Sequence, residues 1–128
     1  MTDALDPSIR LTGDRTAVVA VVGDVDLHTA SALRTRAQAV VDQGAPHLVL
    51  DMEQVDFVDS TGLTTLIVLL QAAQAAGGSL RVARIPERLV RMVTITGVSQ
   101  LIPMYDTVDE ALAALTTEVT ADGAGPSE

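Results

Sequence analysis

The chain contains no cysteine and no tryptophan, and only one phenylalanine and one tyrosine in 128 residues. Without cysteine there can be no disulfide framework and no thiolate metal site. With aromatics at 2% and hydrophobic residues at 48%, any core must be built from Val, Leu, Ile and Ala. Basic residues are also scarce: 8 against 17 acidic ones, a formal net charge of −9. Nucleic-acid binding needs a basic face to neutralise phosphates, so this balance argues against it. It suits a protein partner with a basic surface, or simply solubility. No apolar run reaches the roughly 20 residues of a membrane span. The start of the chain, Met1-Thr2-Asp3-Ala4-Leu5-Asp6-Pro7, is acidic and lacks a signal-peptide pattern. A soluble cytoplasmic protein is the expectation, with no cofactor and no membrane association.

The remaining residues alternate between two periodicities. Ile9 to Leu11 is a short candidate strand, and Gly13-Asp14-Arg15 reads as a turn. Thr16 to Val22 is apolar and β-branched, a strand covered on both faces, and Gly23-Asp24-Val25-Asp26 should break it. Ala30, Leu33, Ala37, Val40 and Val41 then trace a helical stripe, with Thr29 as its cap and Gly44 as its stop. His47 to Met52 predicts the next strand, followed by a separate short run from Val55 to Val58. Leu63, Leu66, Ile67 and Leu70 mark one face of a helix from about Thr61 to Ala76, stopped by Gly77-Gly78. Leu80 to Ile85 is another strand, and Pro86 suits the first position of a helix ending near Gly97. Leu101-Ile102 reads as a short edge strand, and Thr107-Val108-Asp109-Glu110 as a capping box before a last helix.

These elements predict one α/β domain. After a first hairpin, strands and helices alternate, which implies a mostly parallel or mixed sheet of four to five strands with about four helices packed on it. Residues 1–7 form a flexible N-terminus, 8–118 the domain, and 119–128 a disordered acidic tail in this reading.

The functional signal lies between Val55 and Leu66. A strand-like run ends at Asp59, a hydroxyl residue follows, and a helix begins. Ser60 occupies the hinge, in the expected N-cap slot, with its side chain at the surface. A helix start tolerates negative charge, so a hydroxyl there can carry a phosphoryl switch. Ser60 read alone could be only a cap. Gly62 admits two readings as well: close approach by a partner, or tight packing against the loop that carries Asp26. Asp26 could cap the Thr29 helix, and Asp59 could merely end its strand. Val68 and Leu69 lie off the main helical stripe, either exposed as a contact patch or covered by a neighbouring helix.

Phe57-Val58-Asp59-Ser60-Thr61-Gly62-Leu63 resembles the central motif of the STAS domain, and in particular of the bacterial anti-sigma factor antagonists. Gly23-Asp24-Val25-Asp26-Leu27-His28-Thr29-Ala30 resembles the loop and helix start after that family's second strand, and the order of elements agrees from first strand to last helix. Departures are mild: Asp24 and Val25 stand where Glu and Leu are commoner, and Thr64 where a small residue is frequent. The resemblance implies a partner switch. An anti-sigma factor that is also an ATP-dependent serine kinase would phosphorylate Ser60, and a metal-dependent serine phosphatase would reset it. The unphosphorylated chain would bind the kinase and free a sigma factor. Asp26, Asp59, Thr61, Gly62, Thr64, Val68 and Leu69 would form or flank the partner surface. The chain would be monomeric when free, and a substrate and ligand without catalysis of its own.

Three other readings compete. Ser60 after a sharp strand–helix turn echoes a nucleophile elbow, but the Gly-x-Ser-x-Gly pattern is absent and the only candidate bases are His28 and His47. No phosphate-binding glycine motif supports a nucleotide site. Within the resembled family, a subunit of a lipid-transport or stress-sensing complex is the alternative. The two histidines do not form a metal-binding pattern, Arg88 and Arg91 read as a solvated helix face, and Met92 and Met104 as core fillers.

Overall fold

The computed structural model describes residues 8–13 and 15–115; the expected flexible N-terminus and acidic tail lie outside them. The chain opens with β1 (Ser8–Gly13) and β2 (Thr16–Val25), followed by α1 (Ala30–Asp42), β3 (His47–Val58) and α2 (Ser60–Ala75). It continues with β4 (Ser79–Ala83), α3 (Glu87–Ile95), the single turn α4 (Val98–Leu101) and β5 (Met104–Tyr105). A fifth helix, α5, covers 108–115. One of its predicted capping-box bonds is present, with the Glu110 N–H donating to Thr107 Oγ1 at 3.0 Å.

The strands form one mixed sheet in the order β1-β2-β3-β4-β5. β1 and β2 pair antiparallel as the expected hairpin, and β2, β3, β4 and β5 are parallel. Right-handed crossovers that all step the same way put their helices on one side. That side holds the main core. Ala17, Val19 and Val21 of β2, Leu48, Leu50 and Met52 of β3, and Leu80 and Val82 of β4 meet apolar residues of α1 to α4. Alternate residues face the other way: Val18, Val49 and Ala83 are covered by Ala111 of α5, with Tyr105, Val108 and Leu112 beside it. Two-sided cover explains why these strands read as unbroken apolar runs. Met92 and Met104 pack against the main core.

Three expectations about elements need correction. β2 does not break at Gly23 but runs on to Val25. Val55 to Val58 is not a separate strand but the end of β3. Both errors have one cause. β3 needs 12 residues to span the 10 of β2, and its two extra residues fall between Asp51 and Gln54 and between Val55 and Phe57. Such bulges interrupt alternation while pairing continues, and Gly23, at φ 97°, accommodates the second from the β2 side. The third correction concerns Leu101-Ile102, which end α4 and begin the following turn; the edge strand is Met104–Tyr105.

Beyond Asp51, β3 has no β4 partner, because β4 stops at Ala83. Two arginines occupy the space. Arg84 makes a two-pronged ion pair with Asp51, its Nε 3.0 Å from Oδ1, and reaches Glu53 at 3.0 Å. The hydrogen bond to Asp51 holds the Arg84 guanidinium above its ordinary pKa. Arg88, expected on a solvated face, instead donates to the Val55 carbonyl at 3.1 Å and the Asp56 carboxylate at 3.3 Å. Its head remains exposed, but it blunts an edge otherwise open to strand pairing.

Candidate functional site

At the carboxyl end of β3 the chain turns sharply into α2. The residue at the cap is Asp59, with extended backbone (φ −102°, ψ −172°) and a carboxylate that accepts the Gly62 N–H at 2.9 Å. This corrects the placement of Ser60 in the N-cap slot. Asp is as good a cap as Ser, and its longer side chain reaches the third helical N–H. Ser60 is therefore the first residue inside the helix. Its side chain is exposed, and its Oγ makes no hydrogen bond among the described residues. Ser60 is a presented hydroxyl, and the capping function belongs to its neighbour.

The loop between β2 and α1 packs against this helix start. The Leu27 N–H donates to Asp59 Oδ2 at 3.2 Å, and the Asp59 N–H donates to the Val25 carbonyl at 3.2 Å. Gly62 explains the closeness. A Cβ there would lie 2.3 Å from the Val25 carbonyl oxygen, so only glycine lets the helix approach this strand. Gly62 packs tightly against Val25, the residue before Asp26.

Asp26 organises the loop. Its Oδ1 accepts the N–H of His28 at 2.9 Å and of Thr29 at 3.2 Å. Thr29, expected to cap α1 through its side chain, makes no such cap bond. Its hydroxyl instead donates to the Asp24 carbonyl at 2.7 Å and accepts the Asp26 N–H at 3.0 Å. Asp26 and Asp59 thus both spend their carboxylates on backbone N–H groups.

The residues expected on the partner surface differ in exposure. Ser60 and Thr64 are exposed, and the Thr64 hydroxyl is bonded back to the Ser60 carbonyl at 3.0 Å. Thr61, Val68, Asp26 and Asp59 are half-buried, and Gly62 is buried. Leu69 does not belong to the surface. It is fully buried in the main core, because the core-facing stripe of α2 is wide enough to include Leu66, Leu69, Leu70 and Ala73. Two apolar residues not named as contacts flank the site: Leu27, 68% exposed, and Phe57, 50% exposed. The available signals were an isolated leucine between Asp26 and His28 in a polar turn, and a lone phenylalanine at a strand end.

The arrangement leaves the Ser60 side chain open to solvent. His47 sits at the other end of β3, bonded to the Ser79 hydroxyl at 3.1 Å. At roughly 3.3 Å per residue, β3, which spans the 10 residues of β2, separates it from Ser60 by roughly 30 Å. His28 is exposed on the loop and makes no side-chain hydrogen bond to Ser60. A serine without an adjacent base is not activated as a nucleophile. Among the described residues, no helix is long and apolar enough to cross a membrane, and no cluster of three potential metal ligands occurs.

Comparison with known proteins gives a consistent result. The STAS domain family model matches residues 8–111. The anti-sigma-B factor antagonist of Bacillus subtilis is 33% identical over 84 residues, which cover 66% of this chain and 76% of that protein. The crystal structure of an anti-sigma factor antagonist from Mycobacterium paratuberculosis matches with a TM-score of 0.76 at 31% identity, covering 88% of this chain and 94% of that one. The anti-sigma factor antagonist SpoIIAA in its unphosphorylated form gives a TM-score of 0.75 over 88% of this chain and 97% of its own, a likeness of fold at 18% identity.

Proposed function

The chain belongs to the STAS domain family, and from that premise we propose that it is an anti-sigma factor antagonist whose binding is switched by phosphorylation of Ser60. The observation that carries the reading is an exposed serine hydroxyl on the first turn of α2, without a hydrogen bond among the described residues and held by a scaffold that does not need it as a cap. The partner in this reading is an anti-sigma factor with serine kinase activity. Its ATP supplies the phosphoryl group. A bond forms between Ser60 Oγ and the γ-phosphorus, the bond from that phosphorus to the bridging oxygen of ADP breaks, and the serine proton passes to a base of the kinase. A metal-dependent serine phosphatase reverses the modification by hydrolysis. The chain acts as ligand and substrate, and binding it draws the anti-sigma factor away from a sigma factor.

The physical consequence of the phosphate is local. It adds about −1.5 to −2 charge, next to a helix start whose dipole returns roughly 0.3–1 kcal/mol. The fold tolerates that charge. A partner covering Ser60 must desolvate it, beside Asp59 and close to the Asp26 loop. About 1.4 kcal/mol of lost affinity is already tenfold, so charge and bulk suffice to separate the partners without a backbone rearrangement.

The test is an affinity capture from the native cell extract with the wild-type chain, Ser60→Ala and Ser60→Asp as baits, with phosphorylation mapped on each. Retention of a serine kinase by the first two, its loss from the third, and phosphate at Ser60 are the expected results. Absence of any kinase together with an unmodified Ser60 would overturn the switch. Stable recovery of a permease–ATPase complex instead would favour a transport subunit.

A further inference from the structure

The loop Asp26–Ala30 satisfies its own backbone donors, with one exception. The N–H of Asp26 goes to the Thr29 hydroxyl, those of His28 and Thr29 to the Asp26 carboxylate, and that of Ala30 to the Asp26 carbonyl. The N–H of Leu27 alone leaves the loop, to Asp59 Oδ2. The same carboxylate caps α2 through its other oxygen. Leu27 also carries the large apolar side chain that the loop leaves exposed. An exposed leucine on a flexible loop would be unremarkable. Here its backbone is held in register with Ser60 by the residue next to Ser60.

We propose that Asp59 is a positioning residue: its carboxylate ties the Leu27 amide to the start of α2, so that the kinase meets the Leu27 side chain and the Ser60 hydroxyl as one fixed surface. The inference rests on Ser60 as phosphoacceptor and deepens that reading. It gives Asp59 a different task from the flanking acid that the family resemblance suggests. Both of its oxygens are turned to the chain's own N–H groups, and its contribution to recognition is the placement of a neighbour's apolar side chain. The task divides cleanly by chemistry. Cap and tie use different oxygens, and asparagine or serine can supply the first without the second.

The test combines amide hydrogen exchange with kinetics of phosphorylation by the serine kinase that the wild-type chain captures. In Asp59→Asn and Asp59→Ser, the Leu27 amide should exchange at least about tenfold faster while the Gly62 amide keeps its protection, since a single opened bond of about 1.4 kcal/mol corresponds to that factor. With the chain as varied substrate, KM should rise about five- to tenfold, the range of a moderate interface anchor, with kcat nearly unchanged. Leu27→Ala should raise KM similarly, and adding Asp59→Ser to it should raise KM no further, because both changes remove one contact. Independent, multiplying effects of the two changes, a fall in kcat alone, or an unchanged Leu27 amide in Asp59→Ser would each overturn the proposal while leaving Ser60 as acceptor. Failure of the wild-type chain itself to be phosphorylated would overturn both.

Discussion

The two halves of β3 differ in almost every respect. From His47 to Asp51 the strand is paired on both edges, alternates regularly, and buries Leu48, Val49 and Leu50 between two layers. From Met52 to Val58 it is paired on one edge, carries both bulges, and is braced by arginine side chains where a strand might have been. The first half is buried from Leu48 to Asp51. The second half carries the exposed Phe57 and leads into Asp59 and the exposed Ser60. Regular pairing supplies stability, and its interruption re-aims side chains outward at the site.

Substitutions in the two halves should separate these roles. The largest loss is expected from Leu50→Ala, fully buried in the regular half: about 2–5 kcal/mol in chemical denaturation, with binding by the remaining folded fraction unchanged. Next comes Gly62→Ala. Helix propensity alone would favour alanine by about 1 kcal/mol, but the Val25 carbonyl blocks the new Cβ, so the net effect should be a loss of about 1–3 kcal/mol. A neutral or stabilised Gly62→Ala would show that the helix start can slide. Arg88→Ala should cost less, about 0.5–1 kcal/mol by the same denaturation assay, because the guanidinium is exposed; its clearer sign should be faster exchange of amides around the second bulge. The smallest change in stability should follow Ser60→Asp, within about 0.5 kcal/mol of wild type, even though it removes partner binding in the capture assay. A large loss of stability there would mean that Ser60 is part of the scaffold after all.

The regular half was also the legible one. His47 to Met52 announced itself as an apolar run, as did Thr16 to Val22 and the stripe of α2, because two-sided burial leaves an unbroken signature. At the bulges the signature fails: core residues fall at Met52, Val55 and Val58, a spacing of three that belongs to no regular strand, and the chain was cut there. The pattern marks Asp59 and Ser60 together but not which of them caps the helix, since Asp and Ser compete for the same slot and only geometry separates them. Leu69 was misplaced because a helix covered by both sheet and neighbouring helix has a core stripe wider than the simple i, i+3, i+4, i+7 set. An isolated leucine between Asp26 and His28 marks an exposed apolar side chain, but nothing local in the sequence tells that its amide is bonded 32 residues away.

The strand order has a consequence for how the molecule is made. Each strand lies beside the one that precedes it in the chain, so the sheet can be extended edgewise as synthesis proceeds, each new strand and helix docking on a layer already present. No late segment must be threaded between earlier ones. Each parallel pairing of β2 with β3 and of β3 with β4 nevertheless joins residues 31 to 33 positions apart, a closure that slows folding and leaves the growing edge open to other nascent chains until the next strand arrives.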